Sequence, residues 1–177
     1  MRRLLRPNDR MVLIELNRKD CEELGTLYRG DRQVVVRLMD GYQAIKAFLP
    51  PKERRGLVFI DSSFDRSQEF RRLTEGLVEA QRRFATGVFA LWYPLMDPTA
   101  MRAFERGVMA TGISKILQLE IAVTPEDWGA NLRGCGLLVV NPPFGFEEIA
   151  RSMLDWLWPV LSRDREGGHT VRWLVGE

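Results

Sequence analysis

An α/β fold with a doubly wound, mostly parallel sheet is what this 177-residue chain predicts. Short apolar runs alternate with stretches of helical periodicity along nearly the whole sequence, the order that βαβ units require. Runs such as Leu57-Val58-Phe59-Ile60 are apolar at every position, as strands covered by helices on both faces are. The length suits one hydrophobic core, so a single domain over residues 1–177 is expected.

The elements follow in order. Apolar runs place strands at 11–16, 33–38 and 56–60. A long helix is predicted over 66–85, because Phe70, Leu73, Leu77, Ala80 and Phe84 recur at three- and four-residue steps and so share one face. Asp65 is placed to cap it and Gly87 lies just past its end. A strand at 87–93 leads to a second helix, opened by Asp97-Pro98 as N-cap and first-turn proline and closed before Gly112. Strands at 116–123 and 136–140 flank the longest irregular piece, 124–134. A helix at 147–161 and a strand at 170–175 complete the chain, with Trp156, Trp158 and Trp173 read as packing residues.

Composition narrows the class. Hydrophobic residues make up 45% and charged residues 28%, an ordinary balance for a globular protein. No apolar run approaches the roughly 20 residues a membrane span needs, and the opening MRRLLRPNDR has no apolar core of signal-peptide length. A cytoplasmic protein without membrane attachment is expected. Cys21 and Cys135 stand far apart with no neighbouring ligands, which predicts idle thiols and no metal site. The lone His169 reads as structural. Net charge is only +2, yet 22 of the 26 basic residues are arginine, the cation better suited to phosphate. The pairs Arg54-Arg55 and Arg82-Arg83 are candidate phosphate contacts; a solvated helix face explains the second pair equally well.

Three acidic residues fall at predicted strand ends: Glu15, Asp40 and Asp61. In open α/β sheets ligands bind at the carboxyl ends of the strands, and a carboxylate there commonly receives ribose hydroxyls. The plainer alternative for each is a helix cap or a solvated turn. The glycine-rich turn of a dinucleotide site does not precede Glu15, since the first glycine is Gly25. Two turns compete for the chemistry: Ile60-Asp61-Ser62-Ser63-Phe64 and Val139-Val140-Asn141-Pro142-Pro143-Phe144.

The segments IELNRKD (14–20), DGYQAIKAFLPP (40–51), RRGLVFID (54–61), RRFATGVFALWYP (82–94), ATGISKILQLEIAV (110–123), GLLVVNPPF (136–144) and GHTVRWLV (168–175) resemble the RlmJ-type 23S ribosomal RNA adenine-N6 methyltransferases. The resemblance implies a Rossmann-like methyltransferase fold, S-adenosyl-L-methionine as cofactor and 23S rRNA as partner. It gives Glu15 to the ribose hydroxyls, Asp40 and Gly41 to the adenine, and Asp61 to catalysis beside the cofactor, with Ser62 and Phe64 against the substrate base. The family's catalytic turn is Asp-Pro-Pro-Tyr or Asp-Pro-Pro-Phe after the fourth strand, and chain order equates it with Asp61-Ser62-Ser63-Phe64. NPPF resembles a later strand end of the family. The resemblance also makes this chain the C-terminal two-thirds of the family's domain, lacking the glycine-rich loop and the first strand. Strand edges left unpaired in that way would invite self-association.

An adenine amine is a weak nucleophile because its lone pair is delocalised into the ring. The turn must accept the amine's hydrogens and aim its nitrogen, while an aromatic ring holds the extruded base. Proline fixes φ and removes a competing donor. Serine does neither, and its hydroxyl can bond the local backbone. Impaired catalysis is therefore expected; a non-catalytic RNA-binding or oligomerising remnant and a DNA adenine methyltransferase are the alternatives.

Overall fold

A computed structural model describes residues 2–64, 68–124, 132–162 and 166–176. All seven predicted strands form: β1 (Met11–Glu15), β2 (Val34–Leu38), β3 (Leu57–Ile60), β4 (Val88–Leu95), β5 (Ile116–Ala122), β6 (Gly134–Val140) and β7 (Gly168–Val175). Among the described residues five α-helices accompany them: α1 (Arg18–Leu27), α2 (Gly41–Phe48), α3 (Glu69–Arg83), α4 (Pro98–Met109) and α5 (Phe146–Leu161). Two compact units divide the chain, residues 1–49 and 50–177.

The first unit pairs β1 with β2 in parallel, in register from Met11↔Val34 to Glu15↔Leu38. The crossover is α1, capped by Asn17, whose side chain accepts from the Lys19 and Asp20 amides. Every β1 residue is only partly buried, and Ala44 and Ile45 of α2 are the unit's fully buried apolar residues among those described.

The second unit holds a five-stranded sheet in the order β3-β4-β6-β5-β7. β3 and β4 are parallel, joined through α3. β6 runs antiparallel to both β4 and β5, and β7 antiparallel to β5. Thus β3, β4 and β5 point one way, as helical crossovers dictate, and the last two strands run against them. Helix α3 buries Leu73, Leu77 and Ala80 completely, the face its periodicity predicts. Its predicted start and the capping role given to Asp65 fall on 65–67, outside the described residues, as does 125–131 of the long irregular piece. α4 begins as expected, with the Asp97 carboxylate accepting from the Thr99 and Ala100 amides ahead of Pro98.

Behind α5 lies a core of Leu117, Leu119, Ile121, Val139, Ala150, Leu154 and Val171. Trp158 packs at its margin and donates from Nε1 to the Ala122 carbonyl, 3.1 Å away. The packing role expected of Trp156 does not hold: it is 68% exposed, because it faces away from the sheet that Leu154 and Trp158 cover. Trp173 is 42% exposed, its Nε1 donating to Glu147 at 2.7 Å. No described helix is long and apolar enough to cross a membrane.

Candidate active site at the carboxyl ends of the strands

The parallel register Ile60↔Leu91 fixes the geometry of the second unit's site. Asp61 leaves β3 level with Trp92, just past the carboxyl end of β3 and three residues before the end of β4. Asp61 and Ser63 are exposed, Ser62 and Phe64 half-buried. Phe64 turns back onto the sheet, its ring centroid 4.9 Å from Phe70 and 5.9 Å from Trp92. The cluster continues through Phe104 to Tyr93, with centroids 5.0 and 5.3 Å apart. Such tilted pairs fix ring orientation better than an isolated aromatic could. The acidic side chain and its neighbouring aromatic platform therefore share one rim.

NPPF stands at the other end of the sheet. Because β6 runs against β4, its last residue Val140 pairs with Phe89, near the start of β4. That is roughly 10 to 13 Å along the strand direction from the Asp61 rim at about 3.3 Å per residue. Asn141 adopts φ 53°, the left-handed conformation asparagine tolerates, and its Nδ2 donates to the carbonyls of Ala85 and Gly87, each at 2.9 Å. The motif ties the α3–β4 turn to the end of β6, a structural task. Phe144 is fully exposed there.

In the first unit Glu15 and Asp40 also share a rim. The Met39 amide donates to the Glu15 carbonyl at 3.0 Å, so both acidic residues sit at the carboxyl edge of the β1–β2 pair. Glu15 Oε1 accepts from the Asn17 amide at 2.7 Å. Asp40 caps α2, its Oδ1 accepting from Tyr42 and Gln43 at 2.8 and 3.1 Å. Gly41 is exposed, and nothing lies within 4 Å of where a Cβ would stand.

The structure adds a buried polar network. Tyr93 reaches across Gly136 and donates to Glu120 Oε1 at 2.8 Å. A Cβ on Gly136 would meet that ring at 2.1 Å, so only glycine fits. Fully buried Gln118 donates to the Tyr93 hydroxyl at 2.8 Å and to Glu105 at 2.9 Å, and Arg172 closes the set on Glu105 at 2.6 Å. Burial pushes the Glu120 carboxyl above its ordinary range; the Tyr93 bond opposes this and the Glu105 charge adds to it. Burial likewise raises the Tyr93 phenol, which stays protonated. The signal was present: Gln118 and Glu120 are polar residues two apart in an otherwise apolar strand, and so share a face.

Of the phosphate candidates, Arg82 and Arg83 both bond Glu79, the solvated-face reading, whereas Arg54 and Arg55 are exposed. His169 lies against Trp158, centroids 5.9 Å apart, with its Nε2 3.5 Å from Asp155, a structural setting. Burial raises the Cys135 thiol, away from nucleophilic thiolate.

A protein-family model described as ribosomal RNA large subunit methyltransferase D, RlmJ, matches residues 1–175. The chain belongs to the RlmJ family. It is 37% identical over 174 residues to the Haemophilus influenzae protein named ribosomal RNA large subunit methyltransferase J, covering 98% of this chain and 62% of that protein. The Escherichia coli protein of the same name is 38% identical over 176 residues, covering 99% and 63%. The chain thus spans a little over three-fifths of these RlmJ relatives. Among solved structures, a Legionella pneumophila protein superposes with a TM-score of 0.89 at 29% identity, covering 97% of this chain and 63% of that one. A probable spermidine synthase from Corynebacterium glutamicum, 14% identical with a TM-score of 0.62 over 94% of this chain and 59% of its own, shares the fold.

Proposed function

We propose that this RlmJ-family chain takes part in S-adenosyl-L-methionine-dependent methyl transfer to the N6 amine of an adenine in 23S rRNA, in the cytoplasm. The observation that carries the reading is the pairing, at the end of β3 and beside β4, of Asp61 with the Phe64–Trp92 platform. In this reading the two units are parts of one methyltransferase domain.

The residues at the end of β1 and β2 suit the nucleoside half of the cofactor. The Glu15 carboxylate can only accept hydrogen bonds, which matches the two ribose hydroxyls. Asp40 fixes the start of α2, and the open space over Gly41 leaves room for a flat ring to approach the backbone. When bound, S-adenosyl-L-methionine supplies an electrophilic methyl on a sulfonium. Asp61 accepts one N–H of the target amine, the carbonyl of the Ser62 turn accepts the other, and Phe64, held by Phe70 and Trp92, supports the extruded base. Two acceptors on one amine turn its nitrogen lone pair out of conjugation and toward the methyl. Exposed Arg54 and Arg55 are the candidates for phosphate contact, with a salt-dependent share of affinity.

Ser62 and Ser63 in place of the family's two prolines favour a second reading, a non-catalytic RNA-binding module. Two measurements separate them: transfer of a labelled methyl from S-adenosyl-L-methionine to unmodified 23S rRNA, and calorimetry with the cofactor alone. Methyl transfer to adenine N6 together with cofactor heat supports the enzyme. Salt-sensitive RNA binding with neither establishes the module, and transfer to DNA in preference to RNA of equal sequence contradicts both.

A further inference from the structure

Helix α5 buries one face and leaves a second apolar face in water. Its inward side places Ala150 and Leu154, 0% and 4% exposed, against the sheet. Its outward side carries Ile149, Met153, Trp156 and Val160, which are 64%, 47%, 68% and 63% exposed. These positions stand four, three and four residues apart, so they form one stripe along the helix. Their side chains leave on the order of 500 Å² of apolar surface in water, more than half of the roughly 800 Å² each partner contributes to a standard interface. A tryptophan two-thirds exposed at the centre of such a stripe is the residue type that anchors interfaces.

The spacing names the occupant. Steps of four, three and four read the same from either end, so an antiparallel copy of the helix meets the stripe position for position. A twofold axis between Met153 and Trp156 superimposes the stripe on itself, the condition for a closed, isologous contact. Alternating three- and four-residue steps are also those that let two helices interdigitate at a shallow angle. Beside the stripe Glu147 pairs with Arg151 at 2.7 Å, and Asp155 lies 3.5 Å from His169.

We propose that α5 is the seam of a homodimer in which it packs antiparallel on α5 of a second copy, Ile149 over the partner's Val160 and Met153 over the partner's Trp156. The seam lies on the helices rather than on an open strand edge, and it is independent of the catalytic reading. Sedimentation equilibrium tests it, with circular dichroism of each variant. The wild-type chain is expected at twice its 20.4 kDa mass in the micromolar range. Trp156→Glu, with an unchanged spectrum, should weaken association at least ~25-fold, and Val78→Glu, an exposed apolar site on α3, should leave it intact. If Trp156→Glu fails to fold, Val160→Glu takes its place. Disulfide formation between Ile149→Cys and Val160→Cys chains mixed together, but not within either chain alone, is expected from the antiparallel order. A wild-type monomer, a dimer indifferent to both Trp156→Glu and Val160→Glu, or open-ended oligomers would each overturn the proposal, as would a monomer that uses the stripe to hold RNA.

Discussion

Glu120 shows what a single residue costs when it is placed for geometry. Its carboxyl receives the Tyr93 hydroxyl inside the sheet layer, and burial raises its pKa above the ordinary 4.5. A carboxyl with a raised folded-state pKa binds its proton more tightly folded than unfolded, so its stability contribution is complete below pH 4.5 and declines as pH rises through the raised value. Glu120→Gln keeps an oxygen for Tyr93 without the charge. Melting curves should therefore show the variant gaining on the wild type above pH 4.5 and matching it below; a pH-independent difference would show that the carboxylate is not desolvated. Gln118 and Glu120 were visible in the sequence as polar interruptions of a strand, but their partners were not. Tyr93 and Glu105 lie 27 and 15 residues from Glu120, and only the strand order that inserts β6 between β4 and β5 brings them together. Asn141 is the reverse case: its letters advertised chemistry, and its bonds to Ala85 and Gly87 show a clasp.

At the scale of elements, sequence periodicity carried furthest where a helix has one buried face. Leu73, Leu77 and Ala80 of α3 fall where a 3.6-residue repeat puts them. It carried least where both faces of a helix are apolar, since composition cannot say which face meets the sheet; hence Trp156, expected in the packing, stands in solvent. The reversal of β6 was equally hidden, because an apolar strand reads the same in either direction. That reversal separates the two candidate turns, sending Asn141 to the far end of the sheet from Asp61 and Trp92. In the proposed function the turn after β3 sets the rate. Proline at 62 and 63 would fix φ and remove two competing donors, and a misplacement of about 1 Å is worth around a hundredfold. Ser62→Pro with Ser63→Pro should raise methyl transfer by about tenfold or more in single-turnover assays; an unchanged rate would mean that the serine turn already holds the carbonyl in place.

Across the whole molecule the two units differ in what they bury. The five-stranded sheet encloses Phe89, Leu91, Leu117 and Leu138 completely, whereas residues 1–49 bury only Ala44 and Ile45 among the described apolar residues. A two-stranded sheet with so little core is marginal by itself. Native-state hydrogen exchange should show β1 and β2 amides opening at least about tenfold faster than those of β5 and β6; equal protection would contradict this division. From family membership and this placement together we propose that the carboxylate at the end of β3 is the catalytic group and that NPPF is structural. The most direct measurement compares methyl transfer to adenine N6 of unmodified 23S rRNA by Asp61→Ala and Asn141→Ala, each rate normalised to folded protein. Asp61→Ala should lose at least about a hundredfold, the usual worth of a positioned acceptor of an amine proton, while Asn141→Ala melts at lower temperature and keeps its rate. Activity surviving in Asp61→Ala and lost in folded Asn141→Ala would move the chemistry to the opposite end of the sheet.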